Sequence, residues 1–232
     1  MKVLGIIGGI GPESTIDYYK QIIATYRSRQ PDGSFPRLLI NSVDAKILLD
    51  AMAANALPDV AARYLPTEIQ KLANAGADFA LISANTPHVV FDYLRTQSPI
   101  PLLSIVEATC RAAKALGLKR LGLFGTRYTM QAGFYPTVFS REGITVVAPE
   151  AADQDYIHAK YFGELFKGIF LPDTRQGLLA IVERMKSQLE IQGLILGGTE
   201  LPLILRDEDS LGIPFLDTTN IHVREAVTKI LE

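Results

Sequence analysis

Short apolar runs alternate along the chain with longer segments whose apolar positions recur at helical spacing. "KVLGIIG" (2–8), "RLLINSV" (37–43), "DFALISA" (78–84) and "PIPLLSI" (99–105) are unbroken enough to be strands buried on both faces. Residues 12–29 and 58–75 read as the intervening helices, the second ending near Gly76, and a further helix runs to Leu116 with Gly117 at its end. Pro12 suits a first helical turn, and Ile16, Tyr19 and Ile23 fall on one face of that helix. The pattern then restarts. "RLGLFG" (120–125), "GITVVAP" (143–149), "GLILG" (193–197) and "IPFLDT" (213–218) are the later strands. Helices are expected around 129–140, 153–168 and 174–191, briefly after 197, and from 218 to Glu232. Strands bounded by Gly and Pro and separated by helices predict an α/β fold with parallel, helix-covered sheets.

The restart has the character of an internal repeat. "LGIIGG" at 4–9 resembles "LGLFGT" at 121–126, and "LISANT" at 81–86 resembles "LILGGT" at 194–199. Near-equal spacing of the two pairs predicts two pseudo-symmetric α/β domains. Pro99 and Pro101 mark the first crossing, giving residues 1–100 plus 212–232 as one domain and 101–211 as the other.

Composition narrows the function classes. The 232 residues are 48% hydrophobic and carry a net charge of −2, so no basic footprint points to nucleic acid. No run approaches the roughly 18 apolar residues of a membrane span. Gly8, Gly9, Gly11 and Pro12 interrupt the N-terminal apolar run, which reads as a first strand rather than a signal peptide. The lone Cys110 makes neither an internal disulfide nor a thiolate cluster, and it sits in a helical stretch where it reads as packing. The 3 His form no ligand set and no nucleotide fingerprint is complete, so no metal or cofactor is implied. The expectation is a soluble cytoplasmic protein with a small-molecule partner, no nucleic acid and no membrane.

Ligands of parallel α/β sheets bind beyond the carboxyl ends of the strands. Four polar turns lie there. "GGIGPES" (8–14) lacks both the dinucleotide fingerprint and the P-loop Lys, but amides near Gly9 at a helix start can hold a carboxylate. The same glycines also serve a tight turn. "SANTPH" (83–88) offers Ser83, Asn85, Thr86 and His88. Asn85 and Thr86 can donate to a carboxylate, and His88 can work in acid–base chemistry; equally, Thr86 can cap a helix opened by Pro87. "GTRYT" (125–129) offers Thr126 and Thr129 as caps or anion contacts. "GGTEL" (197–201) offers Thr199 and Glu200, and Glu200 also suits an early helical position. Lys167 ends a predicted helix, where its charge is favourable in any case.

Taken in order, "LGIIGGIGPEST", "NTPH", "GT..T" and "GTEL" resemble the aspartate/glutamate racemase family over nearly the whole chain. The resemblance implies two pseudo-symmetric domains with a cleft between them, often a homodimer, and cofactor-independent racemisation of amino acids. In the family two cysteines face the substrate α-carbon, one taking the α-proton and the other returning one to the opposite face. Their positions here hold Ala84 and Gly198, neither of which can carry a proton. Asn85, Thr86, Thr126, Thr129 and Thr199 match positions that hold the carboxylate or flank the thiols. His88 and Glu200 match polar positions that support them. Lys167 falls where aspartate-specific members contact the side-chain carboxylate. Their second contact, an Arg just after Asp44, is replaced by Ala45 followed by Lys46. The resemblance therefore implies an amino acid or small carboxylate as ligand. It leaves three readings: a racemase-type enzyme using His88 or Glu200, an inactive ligand-binding homologue, or an isomerase or lyase on another small carboxylate.

Overall fold

The apolar runs become the strands of two parallel sheets in the computed structural model, which describes residues 1–205 and 211–232. In the first sheet β1 (Leu4–Gly8), β2 (Leu38–Ser42), β3 (Phe79–Ile82) and β4 (Leu102–Leu103) lie in the order β2-β1-β3-β4. In the second, β5 (Arg120–Gly125), β6 (Thr145–Val147), β7 (Gly193–Gly197) and β8 (Phe215–Asp217) lie in the order β6-β5-β7-β8. The two orders are the same pattern. Leu4 pairs with Phe79 as Leu121 pairs with Gly193, and Ala84 lies as far beyond Phe79 as Gly198 lies beyond Gly193. The repeated sequence thus produces repeated backbone, with residues 84 and 198 at equivalent places. β1, β3 and β7 are buried throughout, as strands covered on both faces must be.

The helices of the first unit are α1 (Pro12–Arg29), α2 (Ala45–Ala53), α3 (Leu57–Asn74) and α4 (Phe91–Gln97). Those that follow are α5 (Ile105–Ala115), α6 (Arg127–Gln131), α7 (Phe134–Ser140), α8 (Ala151–Gly163), α9 (Pro172–Leu189), α10 (Leu201–Ile204) and α11 (Thr218–Leu231). The single helix expected at 129–140 is split into α6 and α7, because Gly133 takes a left-handed φ of 77° and starts a new helix. The helix expected at 153–168 ends at Gly163 and continues as a 3-10 turn, Leu165–Lys167. The face of α1 differs from the expected one. Tyr18, Ile22 and Tyr26 are buried, whereas Ile16 and Tyr19 are 47% and 48% exposed. The pattern admitted either apolar stripe, and the two tyrosines fill the deeper space above the sheet.

The chain divides into Met1–Ile105 with Thr219–Glu232, and Val106–Thr218. The first crossing comes later than Pro99 and Pro101 suggested, and the second comes after residue 212. Residues 102–103 pair with β3, so they belong to the first unit. Residues 215–217 pair with β7, so they belong to the second rather than to the predicted 212–232 segment. Only α11 returns, because Val223, Ala226, Val227 and Ile230 join the core formed by Leu4, Tyr18 and Phe79. His222 ties this helix down, bonding the Tyr18 hydroxyl at 2.9 Å and the Leu103 carbonyl at 3.1 Å. Residues 206–210 of the predicted 101–211 domain lie outside the described residues. Among the described residues no helix is long and apolar enough to cross a membrane.

The loop after β1 is held by Gly9. Its φ is 82°, and a β-carbon there would stand 2.3 Å from the Val43 carbonyl oxygen. Gly9→Ala therefore combines left-handed strain with a backbone clash. It is expected to cost about 2–4 kcal/mol of unfolding free energy in urea denaturation, with the far-ultraviolet circular dichroism unchanged.

Candidate active site

In the first unit the turns after β1 and β3 are stitched together beneath the surface. The Gly9 amide donates to Thr15 Oγ1 at 2.9 Å. Its predicted role as an anion-binding amide therefore gives way to closing the turn. Ser14 donates to the Ser83 carbonyl at 2.9 Å, and the Ser83 hydroxyl donates to the Ile7 carbonyl at 3.1 Å. Ser83 is fully buried and joins the two central strands. Asn85 is buried and Thr86 opens a 3-10 turn, Thr86–Val90, with Pro87 in its first positions.

His88 stands in that turn, 3% exposed. Its Nδ1–H donates to the Ala84 carbonyl at 3.0 Å, and its Nε2 accepts the Ile105 amide at 3.3 Å. The two bonds together require the neutral Nδ1–H tautomer. The ring also stacks on Phe91 with centroids 4.7 Å apart. Burial pushes its pKa down to about 4. The acid–base role expected of His88 finds no free nitrogen here, since both ring nitrogens are bound to backbone. One of those bonds ties it to the backbone of Ala84, one of the two places where the family resemblance expects a thiol.

The second unit concentrates its polar side chains at the ends of β5 and β7. Thr126 caps α6, its hydroxyl accepting the Thr129 amide at 3.1 Å and lying 3.1 Å from the Thr129 hydroxyl. A β-carbon at Gly125 would stand 2.8 Å from the Gly197 carbonyl, so the two strand ends touch through bare backbone. Beyond β7, Glu200 is 3% exposed. Its Oε2 accepts the Thr199 hydroxyl at 2.9 Å and the Tyr161 hydroxyl through a short bond. Burial raises the Glu200 carboxyl above the usual carboxylate range, although both hydroxyls favour its charged form. Burial, then the neighbouring Glu200 charge, pushes the Tyr161 phenol well above the ordinary tyrosine value. Tyr161 escaped the sequence reading because an aromatic residue at a buried position of α8 looks like core.

Lys167 is exposed at the end of its 3-10 turn and pairs with no acid among the described residues. Asp44 caps α2 through the Lys46 amide at 2.9 Å, and the Lys46 ammonium pairs with Asp50. Cys110 is buried within α5, and burial raises its thiol. Among the described residues, no group of three or more His, Cys, Asp or Glu side chains could hold a metal ion.

A family profile described as Asp/Glu/hydantoin racemase matches residues 7–226. The chain belongs to that family. It is 24% identical over 238 residues to the broad specificity amino-acid racemase RacX of Bacillus subtilis, covering 99% of this chain and 98% of that one. A Yersinia pestis protein solved as a candidate Asp/Glu racemase superposes with a TM-score of 0.91 at 32% identity, covering all of both chains. PH1733, an aspartate racemase homologue from Pyrococcus horikoshii, superposes at 0.85 with 30% identity, again over the full length of both chains. The two α/β units with the turns just described are thus the family fold.

The buried imidazole makes the fold acid-sensitive. Unfolded, His88 takes a proton near pH 6.5; folded, it resists protonation down to about 4. Between those values the unfolded chain holds the extra proton, so stability falls as pH falls, by up to about 3 kcal/mol across the window. Guanidinium denaturation from pH 7 to 4.5 should show this slope. His88→Asn should flatten it, and a slope equal to the parent's would remove His88 as its source.

Proposed function

We propose that the protein acts on an amino acid or small carboxylate by moving its α-proton, without the family's thiols and without a metal or pyridoxal cofactor. The observation that carries this reading is Glu200. An ionisable carboxyl 3% exposed, beside Gly198 at the end of a central strand, is costly to keep unless its proton affinity is used. Thr126, Thr129 and Thr199 lie at the starts of the helices that follow β5 and β7, where amides and hydroxyls suit a carboxylate. The match to RacX, whose name gives it a broad amino-acid range, supports leaving the side chain of the ligand open. Ala45 at the second expected contact, and Lys46 engaged with Asp50, argue in the same direction. The cytoplasm is the site of action in this reading and a homodimer is the working form. The half-exposed Ile16 and Tyr19 on α1 give such a dimer an apolar surface to bury.

A second reading, a binding protein without turnover, is favoured by one observation: His88 spends both nitrogens on backbone next to the methyl of Ala84. One experiment separates the two. Purified protein is incubated with L- and D-amino acids and small carboxylates in heavy water, and loss of the α-proton signal is followed by NMR. Exchange that drops by about 10²–10⁴-fold in Glu200→Gln is the expected result, the range for losing a general acid–base group. No exchange across the panel, with a raised melting temperature at saturating ligand, would establish the binder; at 100 times Kd the stabilisation is about 2.7 kcal/mol.

A further inference from the structure

Gly198 has no backbone reason to be glycine. Its φ is not among the positive values that Gly9, Gly11 or Gly133 adopt. Its carbonyl accepts the Leu201 amide at 3.1 Å, as in an ordinary turn. What forbids a side chain is Tyr161. A β-carbon built on Gly198 would stand 2.5 Å from Tyr161 Cε2, 2.9 Å from its hydroxyl oxygen and 3.0 Å from Cζ. The phenol end of Tyr161, reaching over from α8, therefore fills the volume that the side chain of residue 198 would occupy. It brings a hydroxyl to that volume, and the hydroxyl donates to the buried carboxylate of Glu200. Thr199 steadies the same carboxylate oxygen.

We propose that the Tyr161 hydroxyl is the acid–base group of this site, standing in the space of residue 198, with Glu200 positioning it and exchanging its proton. This rests on the α-proton reading above and names the atom that would touch the ligand. In the forward step the ligand's α-C–H bond breaks and its proton passes to the phenol oxygen. The phenol's own proton passes to Glu200. The electron pair stays on the α-carbon and spreads into the ligand's carboxylate, so one negative charge moves from Glu200 to the ligand. The reverse step returns a proton from the phenol while Glu200 gives one back. Exchange of the proton on the phenol oxygen with heavy water between the two steps, directly or by way of Glu200, leaves deuterium on the ligand. A buried carboxylate is a stronger base than an exposed one, which suits this relay.

A purely space-filling Tyr161 makes a different prediction, and Tyr161→Phe separates the two because it keeps the ring and removes only the hydroxyl. The measurement is α-proton exchange in heavy water for the parent, Tyr161→Phe, Glu200→Gln and the double variant, over a range of pH. Each protein's melting temperature is also recorded with and without ligand. The expected result is a loss of at least about 100-fold in Tyr161→Phe with the ligand-induced rise in melting temperature retained. The double variant should lose no more than the worse single one, and the pH limb of the parent should vanish in Glu200→Gln. Exchange in Tyr161→Phe within about 3-fold of the parent would overturn the proposal while leaving the α-proton reading intact. A parent that exchanges no member of the panel removes both. As a check on the packing, Gly198→Ala should lower the melting temperature in the parent and be tolerated in the Tyr161→Ala background; equal effects in both would overturn the shared-volume premise.

Discussion

The two polar turns depend on how closely the chain can approach the ends of the central strands. At Gly8 a β-carbon would press to 2.6 Å from the Thr15 methyl, and at Gly125 to 2.8 Å from the Gly197 carbonyl. Bare backbone at these points lets the next helix begin against the strand. Thr15 is thereby drawn into the first turn, where it accepts the Gly9 amide, and in the second turn Thr126 accepts the Thr129 amide and lies against its hydroxyl. Substituting a larger residue at any of these glycines would push the helix start outward and undo the polar grouping. Parallel pairing supplies the other half of the constraint, since it brings the carboxyl ends of neighbouring strands to one edge.

On this shared frame the two units have been put to different uses. In the first, the polar groups after β3 are consumed by the fold. Ser83 bonds backbone of β1, and His88 holds the Ala84 carbonyl and the Ile105 amide, leaving a neutral buried imidazole. In the second, the equivalent turn after β7 holds an ionisable carboxyl and a phenol in contact, both with proton affinities raised by burial. A fold can keep one satisfied histidine for stability. A buried carboxylate held by two hydroxyl donors carries a desolvation cost of several kcal/mol, and a chemical use is the economical explanation for it.

Much of this was legible from the pattern of apolar runs. They placed the strands, the parallel class and the internal repeat, because a strand buried on both faces has few ways to be written. The motifs at 83–88 and 197–201 placed Ala84 and Gly198 at matching positions, and the ladder register puts them there. Local pattern was ambiguous where two solutions were equally apolar. α1 carries two apolar stripes, and only the depth of the first core selects Tyr18, Ile22 and Tyr26 over Ile16 and Tyr19. The first domain crossing was misplaced for a similar reason, since Pro99 and Pro101 mark a break in the chain but not which sheet edge is free to accept the next strand.

The sequence by itself determined the fold class, the repeat, the family and the absence of thiols at residues 84 and 198, because these are written in contiguous residues. Tertiary structure decided which polar side chains are taken up by backbone and which meet other side chains. His88 and Glu200 look alike as candidates in the sequence. Only packing shows that the first has both nitrogens bound to backbone, while the second meets a tyrosine from a helix far upstream. No local pattern could pair Tyr161 with Gly198, because their relation is one of shared volume, and shared volume exists only once α8 is laid against the end of β7.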